Sequence, residues 1–172
     1  MEKSCVHIYY GDGKGKTTAS LGLCVRCSGR GGKVIFTSFL KNFDSGEFMH
    51  KLPFEVVKGC CMDGFWFRCS EDEKAEIREK SANALCSLFE RIKNETVDLL
   101  VLDEALNAIE TGCIDEEMLI DLIKNKPCRT EIVLTGRKAS EKMIEIADYV
   151  TKMVGEKHPY DKGIMARCGI EY

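Results

Sequence analysis

The sequence predicts an α/β fold, a mostly parallel sheet covered by helices on both faces. Short, almost wholly apolar runs such as LLVLDE (residues 99–104) and VIFTSFL (residues 34–40) read as strands buried on both sides. Longer amphipathic stretches, several opened by a capping residue, lie between them. The two kinds alternate along the chain, as in strand–helix–strand units whose strands run parallel.

CVHIYY (residues 5–10) is the first strand, and the helix expected from Lys16 onward ends at the glycines of GRGGK (residues 29–33). VIFTSFL is the second strand. Residues 41–68 are less regular, with Gly46, Pro53, Gly59 and Gly64 and a short possible strand at FEVV (residues 54–57). Ser70 and Glu73 form a capping box, and Ile77, Leu85, Leu88, Phe89 and Ile92 share one face of the long helix it opens. LLVLDE follows as a strand ending in two carboxylates. Asp115 caps a helix carrying Met118, Leu119, Leu122 and Ile123, which Pro127 stops. EIVLTGR (residues 131–137) is a strand leading into a turn, Ser140 caps a short helix, and YVTKM (residues 149–153) is the last strand.

Between the first strand and the first helix stands GDGKGKTT, Gly11, Asp12, Gly13, Lys14, Gly15, Lys16, Thr17 and Thr18. Alternating glycines let the backbone approach a ligand and turn successive N–H groups toward phosphate oxygens. The helix N-terminus adds unpaired donors, Lys16 a point charge, and Thr17 a hydroxyl placed for a divalent cation. The usual phosphate-loop pattern G-x-x-x-x-G-K-[ST] has four residues between its glycines. Here three stand between Gly11 and Gly15, so the loop is one residue short.

Ligands of open parallel sheets bind at the carboxyl ends of the strands. That edge gathers the loop, the Asp103–Glu104 pair and the Thr135–Gly136–Arg137 turn. An aspartate ending an apolar strand suits a magnesium site shared with Thr17. Glu104 suits either water orientation in an ATP-hydrolysing enzyme or the metal shell of a transferase. Arg137 is placed to reach phosphate or ribose oxygens. Arg26 either faces the same edge or lies on the surface. In GFWFR (residues 64–68), Phe65, Trp66 and Phe67 form either a core strand or an aromatic platform for a large flat ligand. The tail from residue 154 on is too rich in glycine and charge for a closing helix. Its Ile164, Met165, Ile170 and Tyr172 are expected to be ordered by some contact.

The chain of 172 residues is expected to form one domain, residues 1–172. Lys and Arg number 25 against 28 Asp and Glu, a net charge of -3, so no basic field for nucleic acid or anionic lipid exists. Without a leader or a long apolar run, the protein is expected in the cytoplasm, off the membrane. Its ten cysteines are scattered, mostly beside apolar residues, and read as reduced core filling rather than as disulfides or a zinc site.

The loop GDGKGKTT, the strand end VLDE, the turn LTGR and the tail KHPYDKGIMARCGIEY together resemble the ATP:corrinoid adenosyltransferases of cobalamin biosynthesis and salvage. Lys157, His158, Gly163, Ala166, Gly169, Ile170, Glu171 and Tyr172 match that family's tail pattern one by one, and the resemblance runs from about Val6 to Tyr172. It implies a RecA-like P-loop fold and transfer of the 5'-deoxyadenosyl group of ATP to cobalt(I) of a corrinoid. Triphosphate leaves, and the shortened loop holds ATP with its triphosphate reversed. Implied ATP contacts are Gly11 to Thr18, Arg26 and Arg137, with Lys16 and Glu104 catalytic. Mg2+ or Mn2+ would sit on Thr17, Glu104 and Asp103. Phe65, Trp66 and Phe67 would meet the corrinoid, aromatic groups displacing its lower axial ligand to ease reduction. The resemblance also implies a homodimer and an electron donor such as a flavodoxin or flavin reductase. The chain departs from the family's G-F-x-W, having Phe67 for the tryptophan, and from its V-Q-F-x-K-G, having Ser38 for the glutamine. It also lacks the N-terminal arm of some relatives, so closure over the corrinoid is expected to differ. A kinase or ATPase transferring the γ-phosphoryl group, and a binding module without turnover, are the other readings of the same residues.

Overall fold

The computed structural model describes residues 4–41, 46–49, 51–60 and 66–171, with the backbone alone for Phe67. Six strands, β1 (Val6–Tyr10), β2 (Val34–Ser38), β3 (Glu55–Lys58), β4 (Leu99–Asp103), β5 (Glu131–Gly136) and β6 (Tyr149–Lys152), form one all-parallel sheet ordered β3-β2-β4-β5-β1-β6. β2, β4 and most of β5 are buried on both faces, which explains their unbroken apolar runs.

The helices divide unequally between the faces. α2 (Glu71–Asn94), α3 (Ala105–Glu110), α4 (Glu116–Lys124) and α5 (Glu141–Glu145) contribute Leu85, Phe89, Leu106, Leu119, Ile123 and Met143 to the larger core, against Ile8, Ile35, Leu100, Leu102, Ile132 and Leu134 of the sheet. α1 (Lys16–Gly29) covers the other face, where Cys24 meets Phe36, Val101 and Val133. Because β1 and β2 are separated by β5 and β4, α1 must cross those strands to connect them, and it packs on β2, β4 and β5. The crossing leaves β1 and β6 short of helical cover on this side. All four residues of β6 are exposed.

The expected caps form. Ser70 and Glu73 make the reciprocal capping box of α2, and Asp115 and Ser140 accept from Met118 and Met143 N–H. Trp66–Arg68 form a single 3-10 turn rather than a strand. A helix not foreseen, α3, begins directly after Glu104.

Of the described cysteines none is in a disulfide, and Cys24, Cys60 and Cys113 are buried as expected of core filling. Cys86, Cys128 and Cys168 depart from that expectation and are exposed. Cys86 is exposed because it lies on the outward side of α2, whose buried positions are Ser81, Leu85, Leu88, Phe89 and Ile92.

Candidate active site at the phosphate loop

The parallel register brings most of the expected site residues to one edge. Ser38 lies opposite Asp103, and Tyr10 opposite Gly136. β5 stands between the loop strand and the strand carrying Asp103, and its Thr135 links the two.

The loop is tied to its neighbours through the backbone. Gly11 N–H donates to the Gly136 and Arg137 carbonyls at 3.2 and 3.0 Å, and Gly13 N–H to the Met153 carbonyl at 2.8 Å. A Cβ on Gly11 would lie 2.2 Å from the Met153 carbonyl oxygen, and one on Gly13 2.7 Å from the Val154 carbonyl carbon. These glycines therefore make room for the chain leaving β6. Gly15, the N-cap of α1, has φ 112°, a left-handed value that favours glycine.

Lys16 folds over the loop, donating to the carbonyls of Gly11 and Gly13 at 2.7 Å each. Burial pushes its pKa below the usual lysine range, with the Glu104 carboxylate opposing that shift. Lys14 reaches outward to the Glu171 carboxylate at 2.8 Å and the Ile170 carbonyl at 3.1 Å. The tail is thus ordered by polar contacts, while Ile164, Met165 and Ile170 stay exposed. Tyr172 lies outside the described residues.

Asp103, with no solvent exposure, organises the centre. Its Oδ1 accepts from Thr17 at 2.9 Å and Thr135 at 2.7 Å, and its Oδ2 from Ser38 at 3.1 Å and Lys41 at 3.0 Å. Ser38, though shorter than glutamine, reaches the Asp103 carboxylate. Glu104 follows in a left-handed conformation, φ 60°, that turns the chain into α3. Its N–H donates to Thr135 Oγ1 at 2.9 Å, and Asn107 one turn later donates to its carboxylate. Asn107 also accepts the Arg137 N–H at 2.7 Å, which fixes the turn after β5.

Sequence reasoning left Lys41 out of the site. Its ammonium lies 3.1 Å from Thr17 Oγ1, 3.0 Å from Asp103 Oδ2 and 3.0 Å from Glu104 Oε1. Burial opposes its charge, but the two carboxylates outweigh that and hold its pKa above the usual lysine range. Its place directly beyond the second strand, on the edge that carries the loop, was the available signal.

An open cleft of about 680 Å3 is bordered by Lys14 to Thr18, Lys41, Glu47, Glu104 and, from the tail, Gly169 to Glu171. Arg26 is not among these residues. It stands in the last turn of α1 and lines a separate cleft with Cys27, Asp98 and Glu131 at the opposite end of the strands, because α1 runs away from the loop that starts it. This corrects its assignment to the ATP site. Trp66 is half-buried against the larger core, its ring centroid 5.8 Å from Lys74 Nζ and 5.4 Å from Arg78 Cζ of α2, so it is no open platform. Phe65 and the Phe67 side chain lie outside the described residues.

A family model described as ATP:corrinoid adenosyltransferase BtuR/CobO/CobP matches residues 2–172. The chain belongs to this family. This member is similar to a corrinoid adenosyltransferase of Pseudomonas aeruginosa, 33% identical over 174 residues that span 99% of this chain and 85% of the relative. It is similar also to the corrinoid adenosyltransferase of Escherichia coli K12, at 29% identity over 99% of this chain and 87% of the relative. A third such protein, from Sinorhizobium sp, is 32% identical over 99% of this chain and 81% of its own. The enzyme is a transferase.

Proposed function

We propose that this adenosyltransferase moves the 5'-deoxyadenosyl group of ATP onto cobalt(I) of a corrinoid, with triphosphate as the leaving group, in one domain spanning residues 1–172. The observation that carries the reading is that the short phosphate loop, Glu104 and the family's tail residues border one cleft. In this reading ATP lies with its triphosphate reversed, so that C5' faces the corrinoid. Cobalt(I) forms the new bond at C5', and the C5'–oxygen bond breaks with its electron pair on triphosphate.

Such a displacement needs alignment and charge neutralisation more than a general base. Lys16 exchanges its two loop carbonyls for triphosphate oxygens, a charge-assisted interaction. With the Gly11 and Gly13 N–H groups held by neighbouring carbonyls, the amides nearer the α1 N-terminus add the donors. Lys14 and Arg137 flank the loop as further cationic partners.

The donor set fits a hard divalent cation. Thr17 and Glu104 offer oxygens, and these already surround a cation, the Lys41 ammonium. Asp103 accepts four hydrogen bonds and so orients the Thr17 hydroxyl rather than binding directly. When bound to Thr17 and Glu104, magnesium or manganese supplies neutralisation of the charge that develops on triphosphate. Asn107 holds the Glu104 carboxylate in place.

Phe65 and Phe67 are assigned to the corrinoid, with an external reductant such as a flavodoxin delivering the electron. A homodimer in the cytoplasm completes the proposal. Exposed Tyr149 and Val150 on the uncovered edge strand favour pairing, and no described helix is long and apolar enough to cross a membrane.

Anaerobic incubation with ATP, magnesium and pre-reduced cobalt(I) cobalamin tests the reaction. The expected result is a light-sensitive adenosyl-corrinoid spectrum with one equivalent of triphosphate, whereas ADP with unchanged corrinoid would overturn it.

A further inference from the structure

Two strand ends in this protein turn back on residues that seldom adopt a left-handed backbone. Leu40, just past β2, has φ 59°, and Glu104, just past β4, has φ 60°; among the described residues they are the only non-glycine residues with positive φ. Such strain persists only where surrounding contacts impose it, and it collects at functional sites. Here the contacts are visible. Phe39 N–H is held by the Asp103 carbonyl at 2.9 Å and Leu40 N–H by the Cys60 carbonyl at 2.9 Å. The two turns serve one juxtaposition, delivering Lys41 from one strand and Glu104 from the other to oxygens that also include Thr17 and Asp103.

The Lys41 ammonium thus sits 3.0 to 3.1 Å from the oxygens proposed to receive the divalent cation. Magnesium binds oxygen at about 2.1 Å, so it cannot share Thr17 and Glu104 with an ammonium still seated on them. We propose that Lys41 is a built-in competitor of the divalent cation, seated on Thr17, Asp103 and Glu104, so that the metal enters together with triphosphate, whose oxygens receive the displaced ammonium. This rests on the reading of Thr17 and Glu104 as the metal's ligands. Lys41 borders the same cleft as the loop, which gives the displaced side chain a route to the triphosphate. The free enzyme then discriminates against the bare cation and accepts the metal–nucleotide pair.

The test is Mn2+ binding to the nucleotide-free protein, read from the paramagnetic resonance signal of unbound Mn2+. Lys41→Met should bind Mn2+ at least tenfold more tightly than the parent, and Lys41→Met/Glu104→Gln should lose that gain. Lys41→Gln keeps a donor toward Asp103, which guards against misfolding, and should gain affinity as well. Lys41→Arg, which restores the charge, should return binding to the parent level. Unchanged or weaker binding in both Lys41→Met and Lys41→Gln would overturn the proposal. If Glu104→Gln alone still weakens Mn2+ binding in that case, the metal assignment stands without it. If Glu104→Gln changes nothing either, the metal assignment falls too.

Discussion

Asp103 shows how one buried side chain can order a site it need not touch the substrate to serve. Its carboxylate is the common acceptor for a helix, two neighbouring strands and Lys41. Removing it in Asp103→Ala strands three hydroxyls and an ammonium, so a loss of about 3 kcal/mol is expected in urea unfolding. Glu104 makes the opposite case, since its left-handed backbone costs stability that glycine would restore. Glu104→Gly should be at least as stable as the parent, by up to about 1 kcal/mol, while adenosyl transfer collapses. The acidic pair was legible because an apolar strand ending in carboxylates marks a sheet edge. The difference between its members was not, because it depends on Thr135 and Asn107, which lie in other elements. Lys41 was signalled only by its place beyond β2, and its direction was hidden for a similar reason. Only the turn at Leu40 points its side chain back at the carboxylates.

At the scale of elements, the strands and caps were readable because each rests on local chemistry, an apolar run or a capping serine or aspartate three residues before the N–H from which it accepts. Ser70→Ala removes the half of the α2 capping box in which the hydroxyl accepts from the Glu73 N–H, leaving the backbone N–H of residue 70 on the Glu73 carboxylate, and should cost about 1 kcal/mol, measurable as a lowered Tm. α3 was not readable, since six residues carry too little periodicity. Its closeness to β5 shows instead at Gly136, where a Cβ would lie 2.5 Å from Leu106 Cβ. The loop glycines were read as space for phosphate, and half their purpose proves to be the strand end beside them. Gly13→Ala sets a Cβ against the backbone of Met153 and Val154 at 2.7 to 2.8 Å, none of which is a yielding side-chain tip. ATP affinity, measured by calorimetry, should fall at least tenfold.

Across the whole molecule, ion pairs and a buried thiol make stability depend on pH. Arg91 links Glu55 of β3 to Glu95 at the end of α2, and Arg91, then Lys33, hold the Glu95 pKa down at about 2. A depressed carboxylate stabilises the fold above its unfolded value near 4.5 and loses that contribution as pH falls toward 2. Arg91→Met should therefore lower Tm at pH 7, with the gap to the parent narrowing through that window. At the alkaline end, burial pushes the Cys24 thiol up to about 12 from its usual 9. The unfolded chain ionises first, so stability is lost as pH climbs from 9 toward 12. In the folded protein at pH 8, iodoacetamide should label Cys86, Cys128 and Cys168 and spare Cys24. The lopsided layering was beyond the sequence, which shows that helices alternate with strands but not which face each takes. That asymmetry reaches the phosphate loop. Among the described residues no helix covers the outer side of β6, yet Met153 beyond it both donates to Tyr10 and accepts from Gly13. Amide protons there depend on the least protected strand of the sheet, so Gly13 should exchange with deuterium at the rate of edge opening rather than of global unfolding. A bound triphosphate, by pinning the loop, would slow exchange along β6, a strand it never touches.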